Sequence, residues 1–480
     1  MPYKVIHEIV MQLQNVITQD IINGTVNNAL FIETVKLLDT FHWINFTFKD
    51  ASDQIQKKEF TNDAVNNNLE LKPLMDQWAN RTKVQVRNGV QITHANQFNP
   101  CSYHWLFTPH TKTIMLQRYN KMDWKITADF FLMRAFWDPE MRKKRFAGAN
   151  KFILEVSRNN ILDDSLQKIV NLKSVGGHDP LKMPISIRFE NEPGIDEGGV
   201  RKEYFSLVIK ELLSPAYAMF KFNEDVQLYY FNGQTLEPNI YFELIGNLMG
   251  IAVYNNTFID LPLPRACYKV LIDEEPNLDD LRQWQPEIAR SLEQMLTWDN
   301  DTQMGAMEDI LCRTFTVDVE QFGAVKSIDL IENGSNIMVT KQNVKEFVRL
   351  YIDFQFKKQC EGQLASFKKG FARVIDMLVV KSLFDFEEIE TLICGQRDLN
   401  FSELRDCAIY HNGFTPTCTM MKWLWEIVLE EWEEDKRRKL LTFATGSDRA
   451  PVSGLKSLKF YIIKDGEDDQ RLPSSHTCFN

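Results

Sequence analysis

No long apolar run, no closely spaced cysteine pair and no basic stripe occurs in this chain of 480 residues. Each absence excludes a class of protein. The longest apolar stretch, Tyr241–Tyr254, is broken by Glu243 and Asn247 and is too short to span a bilayer, so no membrane partner is expected. The opening residues, MPYKVIHEIV, are amphipathic and do not read as a signal peptide. Cysteines stand at 101, 267, 312, 360, 394, 407, 418 and 478 with no C-x-x-C pair or regular framework, which fits reduced thiols in the cytoplasm or nucleus. The eight histidines form no H-x-x-x-H or Cys/His cluster, so no metal site is expected. Lys and Arg number 55 against 66 Asp and Glu, a net charge of −11. An acidic body without a basic stripe excludes a nucleic-acid binder, whose affinity rests on neutralising phosphates. What is left is a soluble globular composition, long enough for two to four domains and a sizeable core.

Hydrophobic spacing supplies the elements. Ile6, Val10, Leu13, Ile17 and Ile21 recur at helical period, with Asn23-Gly24 as a stop. A second helix is predicted over about 30–43, with Val35, Leu38 and Phe41 inward, and weaker helical pieces over 64–80. Cys101 and His104 have no third group beside them and do not read as a catalytic pair. Phe152–Val156 reads as a strand, 161–172 as a helix, and the alternation of Ile185, Ile187 and Phe189 as a half-buried strand. Gly198-Gly199 precedes a helix over 200–213; Asp196 and Glu197 would repel phosphate, so the glycines read as a tight turn. Segments 219–222 and 226–231 flank Asn-Glu-Asp as a hairpin, and Gly246 and Gly250 put a small-residue patch on one helical face.

The last ten residues read RLPSSHTCFN. In an extended strand His476 and Cys478, two apart, project from the same face, where an imidazole can help hold a thiolate. Spacing alone equally allows a free cysteine behaving as a small hydrophobe.

This segment resembles the thioester-forming motif L-P-x-[SA]-H-T-C-F-N of HECT-type ubiquitin ligases, nearest to the Angelman-syndrome (E6-associated protein) type. Further likenesses follow in family order: RFENEPGIDEGGVRKEYF, YFELIGNLMGIAVYNN, FDFEEIETLICG and LTFATGSDRAPVSG. The resemblance covers about residues 115–480. It implies an α+β fold: a mainly helical bilobal HECT domain, with a large amino lobe and a small α/β carboxy lobe, preceded by a helical region. The expected bounds are 1–115 for that region, 116–394 for the amino lobe, 395–399 for the hinge and 400–480 for the carboxy lobe. A conjugating-enzyme-binding subdomain is expected at about 280–355. In the hinge, Gly395 begins the polar run Gln396, Arg397, Asp398 and Leu399, as a pivot needs.

The resemblance further implies two acyl transfers through one sulfur. Cys478 takes ubiquitin from the conjugating enzyme as a thioester and a substrate lysine then removes it, with no cofactor and no ATP or metal. His476 and Thr477 would position the thioester, Phe479 would support it, Arg449 would stabilise oxyanion charge and Asp448 would help remove the amine proton. Ile288, Leu292, Met295, Leu311, Phe347 and Tyr351 would form the conjugating-enzyme groove, although the i, i+4, i+7 spacing of Ile288, Leu292 and Met295 reads equally as core. Expected partners are the conjugating enzyme, ubiquitin and protein substrates, in a pathway of proteasomal degradation.

Only Phe479 and Asn480 follow the cysteine, where family members continue with a further strand and helix. A carboxylate that close disfavours thiolate. The expectation is a carboxy lobe truncated after Cys478 and impaired in the second transfer. Two other readings stay open: a non-catalytic module that binds the conjugating enzyme or ubiquitin, and a cysteine hydrolase with His476 as its base.

Overall fold

The computed structural model describes residues 3–26, 28–48, 54–87, 98–137, 151–192, 196, 198–299, 305–321, 323–397, 399–466 and 472–475. Two helices open the chain, α1 (Tyr3–Ile22) and α2 (Ala29–Phe48), and pack on each other. Ile6, Val10, Ile17 and Ile21 of the expected stripe are buried, as are Val35 and Leu38. α1 ends at Asn23-Gly24, where Gly24 takes a φ of 71° that a side chain would resist. Helix α3 (Leu71–Arg87) lies against the long α4 (Pro109–Trp137).

Strands β1 (Phe152–Val156) and β2 (Ile185–Phe189) pair in parallel, Phe152 opposite Ile185. The helix expected between them is α-helical only from Ile161 to Ser165 and continues as a wider π turn over Leu166–Val170. Ser165 closes the α-helical part, its hydroxyl donating to the Ile161 carbonyl at 2.6 Å. Helix α5 (Gly199–Leu212) follows a turn at Gly198, φ 116°, and buries Phe205, Val208, Ile209 and Leu212. Strands β3 (Phe220–Asn223) and β4 (Leu228–Phe231) form the expected hairpin, Phe220 opposite Phe231.

Helix α6 (Ile240–Tyr254) is buried nearly all round. Its glycine face receives a later helix, as described below. Helix α7 (Pro286–Leu296) precedes the antiparallel pair β5 (Thr316–Gln321) and β6 (Ala324–Asp329). Helix α8 (Val344–Phe356) packs on α7, and α9 (Glu361–Val374) lies along α6. Helix α10 (Phe386–Cys394) starts with a capping box, Asp385 accepting from the Glu388 N–H and Glu388 from the Asp385 N–H.

Beyond Gly395 the chain builds a second core. Helices α11 (Phe401–Cys407), α12 (Thr419–Glu426) and α13 (Glu434–Thr445) surround the parallel pair β7 (Ile409–His411) and β8 (Tyr461–Ile463). Phe401, Leu404, Trp425, Val428, Leu441, Leu455 and Phe460 form its buried cluster, distinct from the larger cluster that runs from Ile6 to Cys394. That larger cluster is continuous between the amino-terminal helices and the elements after β1. Charged contacts join them too: Lys57 reaches Asp385 at 2.6 Å and Lys112 reaches Glu388 at 2.7 Å. Among the described residues no helix is long and apolar enough to cross a membrane.

Candidate functional site

The Cys478 segment is approached through the carboxy-terminal core. Strand β8 leads to the exposed residues Leu472–Ser475. Cys478 itself, with His476, Thr477 and Phe479, lies outside the described residues, and so does Asp398 of the hinge.

The buried thiols of Cys101, Cys267, Cys360 and Cys394 are poor competitors for nucleophilic chemistry. Burial pushes the Cys101 and Cys360 thiols up to about 12, and it also raises those of Cys267 and Cys394. A buried thiolate lacks the solvation that would sustain it. Cys101 is 1% exposed, in keeping with its reading as a structural residue rather than half of a catalytic pair with His104.

Four of the five expected hinge residues are described, and they contact both cores. Gly395 takes φ 75° and ψ 174°, a conformation essentially restricted to glycine. A Cβ there would stand 2.6 Å from the Ala450 carbonyl oxygen, 3.1 Å from Arg449 Cβ and 3.3 Å from the Phe258 ring. Gln396 donates its N–H to the Ala450 oxygen at 2.8 Å and its amide Nε2 to the Val452 carbonyl at 2.9 Å. Arg397 pairs with Glu390 at 3.1 Å, and Leu399 packs on the second core. Burial raises the Glu390 carboxyl against the pull of Arg397, Arg265 and Arg449.

Arg449 and Asp448 stand beside this hinge. Helix α13 ends at Gly446 in the left-handed conformation, φ 78°, and the turn that follows is fastened by the Arg449 N–H donating to Ser447 Oγ at 3.2 Å. Arg449 Nη2 donates to Asp260 Oδ1 at 2.8 Å, across to the first core. Burial opposes the guanidinium's charge, yet Asp260 and Asp448 raise its pKa overall. Asp448 Oδ1 lies 3.6 Å from Arg449 Nε. Arg449 is therefore engaged by a carboxylate of the other core.

The six expected groove residues divide by exposure. Leu292, Met295, Phe347 and Tyr351 are buried, and Ile288 is partly so. The Phe347 ring packs edge-on to Phe315 at 5.5 Å and lies 6.2 Å from Tyr351. Leu311 is 38% exposed, and Ile310, Ile337 and Met338 are exposed as well. Helices α7 and α8 pack on each other, and Leu311 is the exposed member of the six.

Two residues with no role in the sequence reading emerge here. Lys202 lies within the quoted GGVRKEYF segment, and its Nζ donates to the Thr445 carbonyl at 2.9 Å. Asp260 had no local signal, because its partner lies 189 residues later. Among the described residues no cluster of three or more His, Cys, Asp or Glu is arranged to hold a metal.

Comparison with known proteins bears on the same regions. Residues 206–480 match the HECT-domain (ubiquitin-transferase) family. The chain is 32% identical over 458 residues to a probable E3 ubiquitin-protein ligase, HERC4, of Rattus norvegicus, covering 94% of this chain and 42% of that protein. It is 33% identical over 380 residues to human probable E3 ubiquitin-protein ligase HERC3, covering 79% and 35%. It is 34% identical over 402 residues to human probable E3 ubiquitin-protein ligase HECTD2, covering 81% and 50%. The chain thus spans half or less of the length of these relatives.

Proposed function

Because this chain belongs to the HECT-domain (ubiquitin-transferase) family, we propose that it is a ubiquitin-protein ligase working through a thioester on Cys478. The observation that carries this is the family match over residues 206–480, which includes the H-T-C-F-N segment. Thiolate attack on the thioester of the charged conjugating enzyme forms a tetrahedral oxyanion. Collapse of that intermediate expels the enzyme's thiolate and leaves ubiquitin on Cys478. A lysine amine then attacks the new thioester, loses a proton and expels the Cys478 thiolate, leaving an isopeptide bond. This is covalent catalysis that divides one difficult meeting into two transfers.

Residues 116–394 serve as the amino lobe, 395–399 as the hinge and 400–480 as the carboxy lobe; the separate buried clusters before and after Gly395 support this division. His476 and Thr477 position the thioester, Phe479 supports it, and Asp448 assists loss of the amine proton. The conjugating enzyme docks on the 280–355 subdomain through Ile288, Leu292, Met295, Leu311, Phe347 and Tyr351, of which Leu311 is exposed. Ubiquitin and lysine-bearing proteins are the other partners. The subtype likeness to the Angelman-syndrome type rests on motifs alone, since the relatives described above are of other types. The scattered free thiols suit the cytoplasm or nucleus, and degradation by the proteasome is the fate this family membership suggests for substrates.

The test is a single-turnover assay with ubiquitin-charged conjugating enzyme, resolved on non-reducing gels beside Cys478→Ala. A thiol-sensitive ubiquitin adduct that needs Cys478 is the expected result. Binding of the conjugating enzyme without any adduct would sink the ligase reading and favour a binding module.

A further inference from the structure

The two cores are joined at side-chain contacts on either side of a short turn. Lys202 sits in the first turn of α5 and donates to the carbonyl of Thr445, the last residue of α13. The final carbonyls of a helix lack intrahelical donors and carry the negative end of its dipole, so an ammonium is well suited there. Burial, with Arg201 nearby, lowers the Lys202 pKa, so this cation has given up water to reach the carbonyl. Four residues after Thr445, Arg449 reaches Asp260 at 2.8 Å.

The turn between these points is internally braced. Thr445 Oγ1 bonds to the Leu441 and Ser447 carbonyls at 2.8 and 2.9 Å, and Ser447 Oγ accepts the Arg449 N–H. On the other side, Asp260 is anchored to the helix that feeds the hinge. The neighbouring Ile259 N–H donates to the Ile393 carbonyl at 2.9 Å, two residues before Gly395. Both contacts therefore hold rigid segments close to the pivot, where a small displacement becomes a large swing of the lobe.

We propose that Lys202 and Asp260 are positioning residues, a two-point latch that holds the carboxy lobe in this orientation by gripping Thr445 and Arg449. Under this assignment Arg449 acts through Asp260 on lobe orientation. The latch sets how the lobe divides its time between accepting ubiquitin and delivering it, and that part rests on the ligase reading. A geometric consequence does not: the Gln396 and Ala450 amides, which face each other across the pivot, are protected by the latch.

The experiment uses the full chain and the variants Asp260→Asn and Lys202→Met, with Asp260→Glu and Lys202→Arg as conservative rescues. Hydrogen exchange followed by mass spectrometry is read on peptides covering 395–397 and 449–452. Each disruptive variant is expected to speed exchange there by about threefold to tenfold, with an unchanged thermal midpoint, and each rescue to restore protection. In single-turnover assays the ratio of ubiquitin acceptance to lysine discharge should change about threefold or more in the disruptive variants and return in the rescues. Wild-type exchange in both disruptive variants overturns the latch, as does faster exchange with both transfer rates untouched. If the wild-type chain forms no adduct, the ligase reading fails and the exchange result alone decides the latch. Asp260 is 61% exposed at its side chain, so its variant keeps the test valid should Lys202→Met misfold.

Discussion

Gly246 of α6 meets the main chain of α9 at Phe367 so closely that a Cβ would stand 2.0 Å from the Phe367 carbonyl oxygen. The contact is reciprocal. A Cβ on Gly370 would stand 2.1 Å from the Glu243 carbonyl oxygen, and one on Gly250 2.8 Å from Val374 Cβ. The two helices approach backbone to backbone because each presents glycine to the other.

Gly246→Ala should therefore destabilise the chain. Alanine improves helix propensity by about 1 kcal/mol, but the overlap is with backbone that cannot turn aside, and overpacking of this kind costs about 3 kcal/mol. A lower urea midpoint with an unchanged slope would bear this out; a midpoint at or above wild type would contradict it.

Gly395→Ala should act at the hinge. The residue would be forced into a conformation costing about 1–3 kcal/mol while pressing on the Ala450 carbonyl. Far-ultraviolet circular dichroism should stay as in wild type while exchange at the Gln396 amide rises. Unchanged exchange at that amide would count against a strained pivot.

Acid should weaken the amino-terminal helices through His42. Its ring stacks on Trp105 with centroids 5.6 Å apart and meets Phe60 edge-on. Burial, and then Lys112 and Lys57, lower its pKa from 6.5 to about 4. The unfolded chain thus takes up a proton at a pH where the folded chain refuses it. Stability from this group is complete above about pH 6.5 and falls as the pH drops toward 4, by about 2 kcal/mol at pH 5. His42→Phe should flatten the urea midpoint between pH 7 and pH 5 relative to wild type. Identical pH profiles for the two proteins would remove His42 as the cause.

The groove residues should separate into two classes. Leu311→Ala should weaken binding of the conjugating enzyme and leave the thermal midpoint within about 2 °C, since the side chain is already 38% exposed. Phe347→Ala, at 1% exposure, should cost about 3–5 kcal/mol of stability, with any binding loss following from the fold. Calorimetry on both variants checks this, and full binding by Leu311→Ala would move the docking site elsewhere.

Much of the local structure was legible along the chain. The alternation at Ile185, Ile187 and Phe189, the stripe from Ile6 to Ile21 and the paired glycines of α6 each report a periodicity of two or about four residues. Such patterns follow from where successive side chains point, and so need no knowledge of a partner. The expected fold class also stands, and the family match includes the segment holding Cys478.

What neighbours a residue over long separations was not legible. Nothing local to Asp260 points to Arg449, and Lys202 carries no mark of Thr445. Leu311 and Phe347 are both apolar residues expected in the same groove, yet one stands open and the other is sealed. The continuity of the amino-terminal helices with the larger core, through Lys112 and Glu388 among others, is equally a matter of distant packing. The sequence by itself determined many of the elements, α1, β2 and α6 among them, and the chemistry its motifs imply, because these depend on torsions and neighbours a few bonds away. Tertiary structure alone decided which carboxylate Arg449 meets, which apolar side chains remain open and how the two cores are tied at Gly395, because those contacts exist only once distant segments have packed.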